Sequence, residues 1–193
     1  RRGPVVGAGR ARAACLILLI APSARVWWQA DYTTGTAQQQ SIRLADGTDV
    51  ELAPQSAIAV DYKGSQRHIR LLKGRAFFEV THDATRPFAV DAHSVRTTDI
   101  GTAFEVGFGA DSTDVAVVQG AVQVDASPSF GVSEHLQAGQ AIHVGWKGGC
   151  HRTNADGTEI ASWRHGQLIA NDQPVADVVE KLRPYFKGMI VLA

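Results

Sequence analysis

The sequence predicts a mainly β protein: short antiparallel strands, stacked and rolled together, followed by the start of a small β-α-β module and preceded by a membrane helix. Three observations carry that prediction. Between Asp31 and Trp146 no stretch has a helical period, while short apolar–polar alternations recur throughout. Glycines stand just before those alternations, at Gly47, Gly74, Gly101, Gly120 and Gly139, with separations of 27, 27, 19 and 19 residues. A turn glycine followed by a short half-buried strand is thus the repeating unit, and its uneven spacing points to an irregular β stack rather than a strict solenoid. The third observation is the stretch 71–106, LLKGRAFFEVTHDATRPFAVDAHSVRTTDIGTAFEV, which reads as three strands joined by polar turns.

From the N-terminus, residues 1–12 hold Arg1, Arg2, Arg10 and Arg12, all ahead of the first acid, Asp31. Beyond Arg12 the chain has 15 basic and 19 acidic residues, although its total net charge is zero. Residues 1–12 therefore read as a basic cytoplasmic remnant, and the balanced total gives no reason to expect nucleic acid. Residues 13–21 (AACLILLIA) are continuously apolar. Extended to Ala30, the segment has 18 residues and one arginine, Arg25, which can snorkel to the headgroups beside Trp27-Trp28. Residues 13–30 read as a membrane anchor, with the N-terminus cytoplasmic and Asp31 onward outside. The 12 residues enclosed by Arg12 and Arg25, followed by small residues at 21–24, also fit a signal-peptide core. Both readings export the rest of the chain. The lack of an initiating Met and the finish at Ala193 inside an apolar run read as a fragment at both ends.

Residues 31–40 (DYTTGTAQQQ) read as a polar linker, and an all-β domain is expected over 41–147. Its first strands fall at 41–44, 50–52, 58–62 and 67–72, with Asp46-Gly47 as a hairpin turn. Phe77, Phe78 and Phe104 are expected in the core. Alternation puts Ala103 and Glu105 on one face and Thr102, Phe104 and Val106 on the other. In Arg86-Pro87-Phe88, Pro87 fixes a strand start where a missing N–H costs least, and Phe88 packs. Arg86 either pairs with Asp83 or meets a partner. Strands at 114–119 and 121–125 join at Gly120, 128–131 is a loop, and 140–146 is the last strand of the series.

Residues 148–162 read as a linker rich in Gly, Asn and Asp, and 163–193 as an incomplete β-α-β module. In that module 163–170 (WRHGQLIA) is a strand, Asp172 the candidate N-cap and Pro174 near the first turn. Val175, Val178, Val179 and Leu182 recur at helical spacing, Pro184 ends or kinks the helix, and Gly188 leads into a strand at 189–192. Trp163, at the handover, packs one module on the next.

The seven His and two Cys form no catalytic pattern. The His residues are scattered; His135 and His143 flank a Gly turn without a completing Asp, Glu or Cys. Cys15 lies in the apolar run and Cys150-His151 in a Gly-rich loop, with no base and orienting group to make a nucleophile. Asp46-Gly47 and Asp156-Gly157 lack the acidic ligands of a calcium loop. No catalytic group, metal site or cofactor is expected.

Several short motifs, in order, resemble the FecR family of bacterial membrane signal transducers. They are Arg43-Leu44-Ala45-Asp46-Gly47-Thr48 with Val50 and Leu52; Gly74-Arg75-Ala76-Phe77-Phe78-Glu79-Val80; Arg86-Pro87-Phe88-Ala89-Val90; Gly101-Thr102-Ala103-Phe104-Glu105-Val106; Gln119-Gly120-Ala121-Val122-Gln123-Val124; and Leu136-Gln137-Ala138-Gly139-Gln140. The tail, Trp163-Arg164-x-Gly166-x-Leu168 followed by Pro174-Val175-x-Asp177-Val178 and Leu182-x-x-Tyr185, is similar to the short N-terminal domain of secretins and TonB-dependent receptors. The resemblance implies a single-pass inner-membrane protein, mostly periplasmic, that relays a signal from a TonB-dependent ferri-siderophore receptor's signalling domain. The receiving partner would be an extracytoplasmic-function sigma factor, bound through the cytoplasmic segment. Strand addition is the expected mode of contact, at sheet edges offered by Leu168 and Ile169 or by Ile190, Val191 and Leu192. Two other readings stand beside it: an envelope carbohydrate- or wall-binding β domain, which needs exposed aromatic platforms, and a β-barrel oxygenase, which needs two His and a carboxylate on iron.

Overall fold

One strand carries the architecture of the computed structural model, which describes residues 26, 28–126, 131–170 and 174–188. That strand, β5 (Gln66–Glu79), runs for 14 residues and belongs to both layers of a curled sheet. Before it come β1 (Tyr32–Thr33), β2 (Gln40–Arg43), β3 (Asp49–Leu52) and β4 (Ala57–Lys63). After it come β6 (Phe88–Ala92), β7 (Val95–Asp99), β8 (Ala103–Phe108), β9 (Ser112–Gln119) and β10 (Ala121–Ala126). The series closes with β11 (Ser133–Gln137), β12 (Gln140–Gly145) and β13 (Cys150–Asn154). The first half of β5 pairs with β4 and, in parallel, with β6; its second half pairs with β3 and β8. The first layer continues β6-β7-β10-β11, and the second β8-β9-β12-β13. The mainly β class read from the alternation is the class observed. Gly47, Gly101, Gly120 and Gly139 each stand between two strands, with positive φ.

Gly74 departs from that pattern. It lies inside β5, not in a turn, at φ +78. A Cβ there would stand 2.7 Å from Ser56 Cα and 2.8 Å from the Gln55 carbonyl oxygen. Glycine alone lets the strand bend while the chain before β4 presses against it. The bend carries the second half of β5 into the other layer, so the core closes between layers built around one strand. Phe78 is stacked on Phe104 at 5.3 Å between ring centroids and tilted against Phe88 at 5.9 Å, and all three are fully buried. Val50, Leu52, Ile69, Val90, Val106, Val115 and Val122 complete that core from both layers.

The bend also explains why β5 and β6 are parallel. Residues 80–87 carry the chain from the end of β5 back to its start, and a buried guanidinium holds them there. Arg67, on β5, donates to the carbonyls of Thr81 and Arg86, each at 2.7 Å, and to Asp46 Oδ2 at 2.8 Å. Both members of the Arg67–Asp46 pair are only 2% exposed. Asp46 also accepts from the Thr48 N–H and hydroxyl, and the Thr48 hydroxyl accepts from the Thr81 N–H. Burial pushes the Asp46 carboxyl up, but the bonds from Thr48 and Arg67 outweigh it and hold the group below the usual carboxylate range.

Four expectations need correction. Residues 31–40 are not a free linker: β1 pairs with β4, and Thr34 is buried with its hydroxyl donating to the Ala53 carbonyl at 2.6 Å. Residues 148–162 are not a linker either, because β13 extends the sheet beside β12 and Ile160 and Ala161 pack on it. Residues 163–170 form no strand; Ser162–His165 is a 3₁₀ turn and the backbone beyond is irregular. The N-cap position of helix α1 (Val175–Leu182) is Pro174, which makes no side-chain cap bond, and the helix passes into a 3₁₀ turn, Arg183–Tyr185, at Pro184. Asp172, the strand at 189–192, the loop at 128–130 and residues 1–25 lie outside the described residues. Among the described residues no helix is long and apolar enough to cross a membrane.

Gly74→Ala is expected to cost about 2–4 kcal/mol, from a left-handed φ plus overlap with backbone, read as a fall in urea midpoint. Arg67→Met is expected to cost about 3–5 kcal/mol because it strands a buried carboxylate, with much of the loss restored in Arg67→Met/Asp46→Leu. Because the folded Asp46 carboxyl is depressed, its stabilisation is complete above about pH 4 and is lost as pH falls through the lower folded value. Urea titrations from pH 6 to pH 2 should show that fall in the wild type and a shallower one in the double variant.

Candidate functional site on the outer sheet face

The outer face of the second layer is where side chains from distant parts of the sequence meet. Strand register sets the row: Glu51 lies opposite Phe77, Phe77 opposite Glu105, and Glu105 opposite Ala116. A second row places Asp49, Glu79 and Ala103 side by side. Aligned alternation therefore aims an aromatic ring and four carboxylates at one surface, over a floor of small residues.

The C-terminal segment covers that surface. After β13 the Ala155 N–H donates to the Gly139 carbonyl, and the turn at Asp156 leads into Ile160 and Ala161. Trp163 is buried, and its indole N–H donates to Glu105 Oε2 at 2.6 Å. The other oxygen of Glu105 accepts from Arg75, which Glu105 holds above its ordinary pKa against the opposing effect of burial. The Arg75 guanidinium lies beside Gly107, 3.4 Å from where a Cβ would stand. Arg164 sits 3.9 Å over the Phe77 ring and donates to Glu51 and Glu79 at 2.9 Å each. Gln39 donates to the Trp163 carbonyl, and the Ala37 N–H to the Pro184 carbonyl, so the N-terminal stretch also ties the cover down. Burial, with Glu105 adding to it and Arg75 opposing, pushes the Tyr185 phenol up to about 12.

The side chains of this face are taken up in contacts with one another. Glu105 spends both oxygens on donors, so no free base remains there. His68 meets Asp91 at 2.8 Å and His143 meets Asp114 at 2.7 Å, each a single imidazole on a single carboxylate. Among the described residues no group of three or more His, Cys, Asp or Glu is placed to hold a metal. The exposed Cys150 thiol is pushed up by burial of its sulfur and by Glu134, which reduces its thiolate character.

Of the residues singled out from sequence, Trp163, Phe77 and Glu105 fall in this cluster. Leu168 and Ile169 are half-buried in irregular backbone rather than on a sheet edge, and Ile190, Val191 and Leu192 lie outside the described residues. Arg86 is exposed and pairs with Asp83 at 2.7 Å. Pro87 stands before β6 and Phe88 is buried at its start. The motifs contain Arg75, Glu79 and Arg164 without marking them or Glu51 as site residues; the signal in the sequence is a carboxylate on the face of β3, β5 and β8 opposite to the apolar residues.

Arg164→Met should keep the packing over Phe77 and lose both ion pairs, costing about 1–2 kcal/mol by denaturant unfolding, with the loss shrinking in high salt.

Known proteins bear on this architecture. The FecR protein family model matches residues 30–123, the span from the approach to β1 into β10. Two crystal structures of a candidate anti-sigma factor from Parabacteroides distasonis ATCC 8503 share the fold, with TM-scores of 0.74 and 0.73 at 24% identity. Each alignment covers 80% of this chain and 73% of that one. No curated protein matches the sequence. Residues 30–123 of the chain thus match the FecR protein family, and the two-layer sheet they build is the fold shared with those two structures.

Proposed function

We propose that this chain is the extracytoplasmic sensing part of a single-pass inner-membrane regulator, with its bulk in the periplasm. It takes a signal from a TonB-dependent ferri-siderophore receptor and passes it, through protein contacts alone, to an extracytoplasmic-function sigma factor bound on the cytoplasmic side. The observation that supports this most is the FecR-matched domain, in which the C-terminal segment is seated on the outer sheet face through Trp163 and Arg164. A contact made on the segment side reaches the two-layer domain through that seat, and no reaction is needed. Among the described strands β1, β2, β11 and β13 each have a neighbour on one side only, and β13 is exposed along its length.

The test is a calorimetric titration of the exported part, residues 31–193, with the signalling domain of a receptor encoded beside it. Saturable binding in the micromolar range is expected, together with loss of sigma-dependent reporter response when the chain is deleted. A flat titration and an unchanged reporter would count against the proposal.

One observation favours a second reading, an envelope carbohydrate-binding domain. Trp146 is stacked on the exposed His93 at 4.3 Å between ring centroids, with Phe108 beside it at 5.3 Å. Retention of the protein on wall polysaccharide, lost in Trp146→Ala, would support that reading, and flow-through of both proteins would remove it.

A further inference from the structure

The residues that meet on the outer face have the features of an occupied binding site. A merely greasy cover would need no carboxylates, yet this one is met by Glu51, Glu79 and Glu105. Glu105 is the most telling. It is buried, Arg75 satisfies one of its oxygens, and the other receives only the Trp163 indole N–H. With the segment lifted away, that oxygen needs an N–H donor, and leaving it without one is costly in so enclosed a position. Phe77 presents its ring face to a cation between two carboxylates one strand apart, the arrangement that selects a guanidinium over an ammonium.

The occupant is local. Its side-chain bonds to the face come from Trp163 and Arg164, on a single 3₁₀ turn, with Gln39 bonding the Trp163 carbonyl. Ala161, just before the turn, sits at φ 54, a left-handed backbone that is unfavourable for an L-residue. The preceding turn at 156–159 is exposed, and Gly166 follows. A segment of this kind opens at a lower free energy than the sheet beneath it.

We propose that the outer face of the second layer is a recognition site for a protein segment in which an indole donor directly precedes a guanidinium. In the resting chain it is occupied, and so closed, by Trp163-Arg164 of the same molecule. A partner offering the same pair competes for Glu105 and for the Phe77 platform, displacing the cover. This inference concerns the site alone and does not rest on the receptor or sigma-factor relay.

The test uses the full chain, a Trp163→Ala/Arg164→Ala variant of it, and a labelled nine-residue peptide copying 160–168 (IASWRHGQL). Fluorescence polarisation should show saturable binding to the variant and binding about 10- to 100-fold weaker to the wild type. The difference arises because the tethered segment acts at an effective concentration on the order of millimolar. Peptides with the Trp or the Arg replaced by Ala should lose the interaction with the variant. Equal affinity for both proteins, or no binding to a variant that keeps its β circular dichroism, overturns the proposal. Should the double variant fail to fold, native-state hydrogen exchange on the wild type decides. Residues 158–168 are expected to exchange through an opening that leaves β5 and β8 protected. Exchange of that segment only with global unfolding overturns the proposal.

Discussion

The fold depends on one buried guanidinium. Arg67 gathers three chain segments that would otherwise drift apart: the hairpin turn at Asp46 and both ends of the connection between β5 and β6. Such a charge is tolerable only because its surroundings are complete. Asp46 neutralises it, two carbonyls accept from it, and the Phe88 ring lies 5.6 Å from it. The aspartate of the Asp46-Gly47 turn therefore does more than form a hairpin. It anchors the second layer to the first at the end opposite the Gly74 bend.

That bend and that ion pair together account for the curled sheet. A straight 14-residue strand would hold the two sets of partners in one flat sheet with a solvent-exposed face. Bent at Gly74, it lets Ile69 and Leu71 from its first half and Ala76 and Phe78 from its second face the same interior. The outer face of the second half is then left to Phe77, and covering Phe77 falls to Ile160, Ala161 and Trp163. Packing of the core and seating of the C-terminal segment are thus two faces of one strand. What happens at Trp163 bears on the sheet that holds the Phe77–Phe78 pair.

Much of this was legible in the sequence, and the failures share physical causes. Strand alternation and the corner glycines were readable because they are local. Gly74 looked like its neighbours, since a glycine that bends a strand and one that turns a chain leave the same mark. Residues 31–40 and 148–162 read as linkers because polar composition also describes edge strands; every residue of β13 is exposed. Residues 163–170 carry β-prone side chains, but a 3₁₀ turn of four residues leaves no period to detect. The parallel β5–β6 pair was hidden because an eight-residue connection reads as a hairpin unless the bend is known. The cluster on the outer face was invisible for another reason. Trp163 and Glu105 are 58 residues apart, and Arg164 and Glu51 are 113 apart, so only the finished sheet brings them together.

The account turns on the Trp163 indole being shut against Glu105. Solvent exchange of indole N–H protons, followed by NMR on the full chain, reads that bond directly. The Trp163 proton should exchange at least about tenfold more slowly than that of the exposed Trp28 and sit downfield, as expected for a short bond to a carboxylate. Exchange as fast as that of Trp28, with an unshifted resonance, would contradict the account.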